Sequence, residues 1–82
     1  MKYVIVYTRQ AETELLAFPG KIQRQIASKI ARLQGGFTGD IKKLQAADNV
    51  YRLRSGNHRI LFELEETTII IRTIRDRRTA YD

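Results

Sequence analysis

Apolar and polar residues along this chain follow two periods, one helical and one extended. Residues 2–8 are rich in β-branched and aromatic side chains (Tyr3, Val4, Ile5, Val6, Tyr7) and predict a strand. Thr8 then stands where a helix N-cap belongs. Ala11, Leu15 and Phe18 fall on one stripe of a helix over residues 9–18. Pro19-Gly20 breaks that helix. A second one, over residues 21–34, carries Ile22, Ile26, Ile30 and Leu33 at helical spacing and stops at Gly35-Gly36. Residues 37–49 read as a polar connection anchored by Phe37, Ile41 and Leu44.

The period then becomes two. In residues 50–54, Tyr51 and Leu53 share one face while Arg52 and Arg54 share the other. Ser55-Gly56-Asn57 is turn chemistry. Residues 58–65 place Ile60, Phe62 and Leu64 on one face. Glu66-Thr67 makes the next turn, and residues 68–75 contain the run Ile69-Ile70-Ile71, expected of a strand covered on both faces. Such short loops imply an antiparallel meander. The order β-α-α-β-β-β predicts a single α+β domain over residues 1–82. Its two layers are a helical hairpin and a mainly antiparallel four-stranded sheet.

Composition narrows the function. A chain of 82 residues buries a modest core and leaves no room for a second domain. The absence of cysteine excludes disulfides and thiolate metal sites, and one histidine without an acidic cluster gives no zinc site. No metal or cofactor is therefore expected. The formal charge of +6 favours a polyanionic partner. The apolar patch at residues 3–7 is too short for a signal peptide, and no run approaches a bilayer span, so a cytoplasmic setting is expected.

The arginines sharpen this picture. Lys42 to Arg78 contains nine Lys or Arg but five Asp or Glu, so some guanidiniums lack a carboxylate within the segment. Planar, permanently charged guanidiniums gathered in one place suit phosphate. Hairpin pairing brings Arg54 close to Arg59, and Arg75 closes the last strand, its register not fixed by the pattern. Arg75, Arg77 and Arg78 also read as a solvated basic tail, Tyr81 as a packing residue and His58 as a structural turn residue. Positive charges near Tyr81 would favour its phenolate; alternatively its ring would stack on a base. Composition and spacing alone reach a small basic α+β protein that binds a polyanion.

The pattern Lys43-Leu44, Tyr51-Arg52-Leu53-Arg54, Gly56-Asn57-His58-Arg59-Ile60-Leu61-Phe62 and Ile74-Arg75-Asp76-Arg77-Arg78-Thr79-Ala80-Tyr81 resembles the RelE/ParE superfamily of toxins from type II toxin–antitoxin systems. The resemblance covers essentially the whole chain. Its RelE-like branch implies a ribosome-dependent, metal-independent mRNA endonuclease that cuts the A-site codon by attack of the RNA 2′-hydroxyl on the adjacent phosphate. By this resemblance the catalytic positions are Arg52, Arg54, Arg59, Arg75 and Tyr81. Arg59 would hold the scissile phosphate, Arg75 would serve the leaving oxygen, and Tyr81 would stack on the nucleotide or assist proton removal. Lys43, His58, Arg77 and Arg78 are secondary candidates for RNA binding, His58 also for proton transfer. Several family members carry lysine where this chain has Arg52 and Arg54. Arginine stays protonated, which argues against a general base there and leaves electrostatic stabilisation.

The resemblance also implies a cognate antitoxin, lying across the helical hairpin or the sheet and covering or displacing the basic site. ParE-like members share the fold but poison DNA gyrase, and generally lack the terminal tyrosine, so Arg75 and Tyr81 point to the RelE branch. The alternatives are a gyrase-inhibiting toxin and a non-catalytic nucleic-acid-binding module.

Overall fold

Inward-facing apolar residues on strands and helices have to meet, and here they do so between one sheet and one helical hairpin. The computed structural model describes residues 2–37, 39–44 and 49–76. Its elements are β1 (Val4–Tyr7), α1 (Arg9–Leu16), α2 (Gly20–Ala31), a 3-10 turn (Arg32–Gly35), β2 (Asp40–Lys43), β3 (Val50–Ser55), β4 (His58–Glu65) and β5 (Thr68–Asp76). The strands form a single sheet in the order β1-β5-β4-β3-β2. β1 lies parallel to β5, and every other pair is antiparallel.

The α+β class and the two layers are those expected. The sheet has one strand more than the pattern predicted. The extra strand is β2, in the stretch read as a connection. Its four residues, Asp-Ile-Lys-Lys, supply one inward apolar side chain, Ile41, opposite Leu53. A short charged strand at a sheet edge gives almost no period-two signal, and its charges also discourage pairing with another chain.

Helix boundaries follow local chemistry. The Thr8 Oγ1 accepts a hydrogen bond from the Ala11 N–H at 3.1 Å, which caps α1 as expected. Gln23 of α2 donates through Nε2 to the carbonyls of Leu16 (3.2 Å) and Phe18 (2.7 Å), satisfying acceptors that the end of α1 leaves open. Pro19 precedes α2, and the predicted apolar stripe faces the sheet. Ile26, Ile30 and Leu33 are buried and Ile22 is half-buried. They meet Leu53, Ile60, Phe62, Ile69, Ile71 and Ile74 from the sheet. Phe62 stacks on Tyr51 at 5.4 Å between ring centroids, and Phe37 meets both rings edge-on.

One irregularity matters for the site. β4 and β5 pair in register from Glu65↔Thr68 to Phe62↔Ile71, then resume at Leu61↔Thr73. Arg72 is the additional residue of a bulge on β5. Ile69, Ile71 and Ile74 all reach the core although the last step spans three residues. An unbroken strand would turn Ile74 outward and Arg75 inward. The bulge reverses both.

Candidate functional site

The second sheet face carries the arginines. Leu53 pairs with Ile60, and Ile60 with Ile74, all buried beneath the helices. Their neighbours alternate to the opposite face, where Arg54 pairs with Arg59 and Arg59 with Arg75. Three strands thus place three arginines in one transverse row. With adjacent strands about 4.8 Å apart, the row spans roughly 10 Å of backbone. Its central member comes from β4, a strand paired on both sides. Like charges set directly opposite one another are destabilising. An anion above the row would offset that repulsion.

Arg52 lies on the same face, one pair further along, between Lys42 and Leu61. Its terminal nitrogen reaches Asp40 Oδ1 at 3.3 Å, and its side chain is 13% exposed. Its Nε is buried and has no hydrogen-bond partner among the described residues. Arg54, by contrast, is exposed. An open cleft of about 250 Å³ runs past the β3–β4 turn, lined by Arg54, Gly56, Asn57, His58 and Arg59.

The secondary candidates divide. His58 shares the parity of Ile60 and packs edge-on against Phe18, with ring centroids 5.0 Å apart, while still lining the cleft. Lys43 pairs with Tyr51 and takes the helix-side face. Lys42, which the pattern did not single out, takes the arginine face beside Arg52. Tyr81, Arg77 and Arg78 lie outside the described residues.

An acid outside the predicted site, Glu14, also reaches the row. β1 ends its pairing at Tyr7↔Ile71, leaving the rest of the β5 edge open. α1 runs along that edge. The Thr8 N–H donates to the Ile71 carbonyl at 3.0 Å and its hydroxyl to the Arg72 carbonyl at 3.1 Å. Glu14 Oε1 accepts from the Ile74 N–H (2.9 Å) and from the Thr73 hydroxyl (2.7 Å). Arg75 Nε donates to Thr73 Oγ1 at 3.2 Å and lies 3.6 Å from Glu14 Oε2. No local pattern signals this contact, because Glu14 and Thr73 are 59 positions apart.

The rest of the open face is different. Val4 and Val6 are 57% and 42% exposed, and Arg72 forms an ion pair with Glu63. Among the described residues, no helix is long and apolar enough to cross a membrane.

Against known proteins, a family model described as the ParE toxin of type II toxin–antitoxin systems, parDE, matches residues 5–81. Toxin RelE3 of Methanocaldococcus jannaschii is 32% identical over 83 residues, covering 95% of this chain and 94% of that protein. The RelB–RelE antitoxin–toxin complex of Methanococcus jannaschii contains a similar chain. It shows a TM-score of 0.77 at 31% identity, with 90% of this chain and 92% of that one covered. The archaeal RelE–RelB complex of Pyrococcus horikoshii OT3 shares the fold, with a TM-score of 0.81 at 22% identity over 98% of this chain and 100% of that one.

Proposed function

We propose that this chain, which belongs to the ParE toxin family of type II toxin–antitoxin systems within the RelE/ParE superfamily, is an mRNA endonuclease of the RelE type acting in the ribosomal A site. The observation that carries this reading is the row Arg54–Arg59–Arg75, three guanidiniums brought by register to one face. In the proposed reaction the RNA 2′-oxygen attacks the adjacent phosphorus and the bond to the 5′-oxygen breaks. The products are a 2′,3′-cyclic phosphate and a 5′-hydroxyl. Arg59 holds the scissile phosphate. Arg75 stabilises charge on the departing 5′-oxygen, which takes its proton from water, and Arg52 and Arg54 oppose the charge that builds on the phosphoryl oxygens. Tyr81 orients the nucleotide or takes the 2′-hydroxyl proton. Arginine cannot readily take it. With few acid–base groups in the chain, the ribosome supplies much of the RNA positioning.

A cognate antitoxin is the expected partner, since similar chains of M. jannaschii and P. horikoshii stand in RelB–RelE complexes. The expected compartment is the cytoplasm. Purified protein should cut mRNA in the A site of programmed ribosomes, read by primer extension. Arg59→Ala and Arg75→Ala should each slow cleavage about 100-fold or more, the cost of removing one transition-state donor. Full activity in both variants would overturn the assignment. The ParE description of the matching family keeps gyrase as a second reading. Inhibition of supercoiling with mRNA left intact would favour it.

A further inference from the structure

We propose that Glu14 is a positioning residue for the site: acting through Thr73, it holds Arg75 by its Nε. The proposal rests on the reading of the arginine row as an RNA-phosphate site. The Thr73 hydroxyl has one proton and two acceptor positions. It donates to Glu14 Oε1 and accepts from Arg75 Nε at 3.2 Å and, more weakly, from Gln10 Nε2 at 3.4 Å. Its hydrogen-bonding capacity is therefore used up in one orientation. Glu14 is itself fixed by the Ile74 backbone N–H at 2.9 Å, and Gln10 reaches its second oxygen at 3.5 Å. These contacts engage Nε, the guanidinium nitrogen nearest the chain, and leave the two terminal amino groups outside this network. Those are the groups that form a fork with a phosphate.

The arrangement is not one that maximises anion affinity. Arg75 is 47% exposed and Glu14 24%, so a carboxylate sits beside a phosphate-binding cation near the surface. Coulomb repulsion from Glu14 weakens phosphate binding, while the hydrogen bonds fix the direction of the guanidinium. Orientation and affinity are thereby separated, and a substitution can read them apart. Glu14→Gln keeps one oxygen for Ile74 and Thr73 but sets an N–H2 donor where Oε2 faces Arg75 Nε, so the charge is gone and the guanidinium is turned from its place.

The test is single-turnover cleavage on programmed ribosomes, with rate and apparent ribosome affinity measured for Glu14→Gln, Thr73→Val, Thr73→Ser, Arg75→Ala and the Glu14→Gln/Arg75→Ala double variant. Glu14→Gln and Thr73→Val should lower the maximal rate about 10–100-fold, as misplaced catalytic groups do. Affinity should be unchanged or tighter, and Thr73→Ser should restore the rate. In the Arg75→Ala background Glu14→Gln should have less than about a twofold effect, because the coupled partner is gone. An unchanged rate in Glu14→Gln, or the same loss with and without Arg75, would overturn the proposal. A purely structural role would lower the melting temperature and leave the rate of the folded protein intact. If the wild-type protein does not cleave, the nuclease reading fails by itself. Binding of a 2′-O-methyl RNA octamer, followed by anisotropy, then decides the positioning role. Glu14→Gln should change that affinity by a larger factor with Arg75 present than without it, because only the direct charge repulsion persists in the Arg75→Ala background, and equal effects in both backgrounds would reject it.

Discussion

At the scale of single residues, two hairpin turns make a contrast. Gly56 and Glu66 both open two-residue turns with positive φ, at 59° and 54°. A Cβ on Gly56 would meet nothing within 4 Å, so Gly56→Ala carries only the backbone penalty, about 1 kcal/mol in chemical denaturation. Glu66 already bears that strain, and Glu66→Gly should raise stability by several tenths of a kcal/mol or more, about the size of that strain less glycine's entropy. Arg52 poses a different question. Its side chain is nearly buried, whereas the Asp40 carboxylate that it reaches is exposed. Arg52→Met keeps the stem's packing and removes a poorly compensated charge, so stability should stay within about 1 kcal/mol of wild type while RNA cleavage falls. Asp40→Ala, which leaves that cation without its carboxylate, should cost more, about 1–2 kcal/mol. Tyr7 adds a pH dependence. Burial raises its phenol above the ordinary value of 10.0. The unfolded chain therefore loses that proton first. The contribution is complete below pH 10 and fades as pH climbs toward the folded value, and alkaline melts of Tyr7→Phe should lack that part of the decline.

At the scale of elements, the β5 bulge and α1 work as a pair. Deleting Arg72 would leave Ile71, Thr73, Ile74 and Arg75 alternating regularly, with their existing partners on β4. The deletion variant should therefore fold and keep Arg75 on the open face. Deleting Ile70 shifts the register of a central strand and should not fold. Circular dichroism melts separate the two outcomes. Thr8 has two tasks, capping α1 and bonding the carbonyl of the bulge residue, so Thr8→Ala should cost about 1–2 kcal/mol, the upper part of the usual N-cap range. The helices and the three strands of the meander were legible because each has a strong apolar period. β2 was not, because one isoleucine among charges has no period. The bulge was not, because nothing local distinguishes Arg72 from its neighbours; only pairing with β4 shows it to be the additional residue.

At the scale of the whole molecule, basic charge lies on both layers, the sheet's open face and the outer side of the helices. α2 and the turn after it carry Lys21, Arg24, Lys29 and Arg32, all exposed, with no acid between them. Together with the net charge of +6 this means that, under the proposed function, binding to the ribosome should weaken steeply with salt. Replacing Lys21 and Arg24 with Gln should flatten that salt dependence and leave the rate on saturated ribosomes unchanged. The amino-acid order by itself determined the α+β class, the helical hairpin with its buried stripe, the hairpin turns and the abundance of guanidinium. These depend on interactions a few residues long, repeated at 3.6 or 2.0 positions, so a single chain displays them. It also put Arg54 beside Arg59, since a short turn leaves little freedom. Tertiary structure decided that Arg75 completes the row, that Lys42 rather than Lys43 shares the arginine face, that His58 packs on Phe18, and that Glu14 reaches Thr73 and Arg75. Each depends on register or on contact between elements far apart in sequence. A shift of one residue exchanges the faces of a strand without altering its composition.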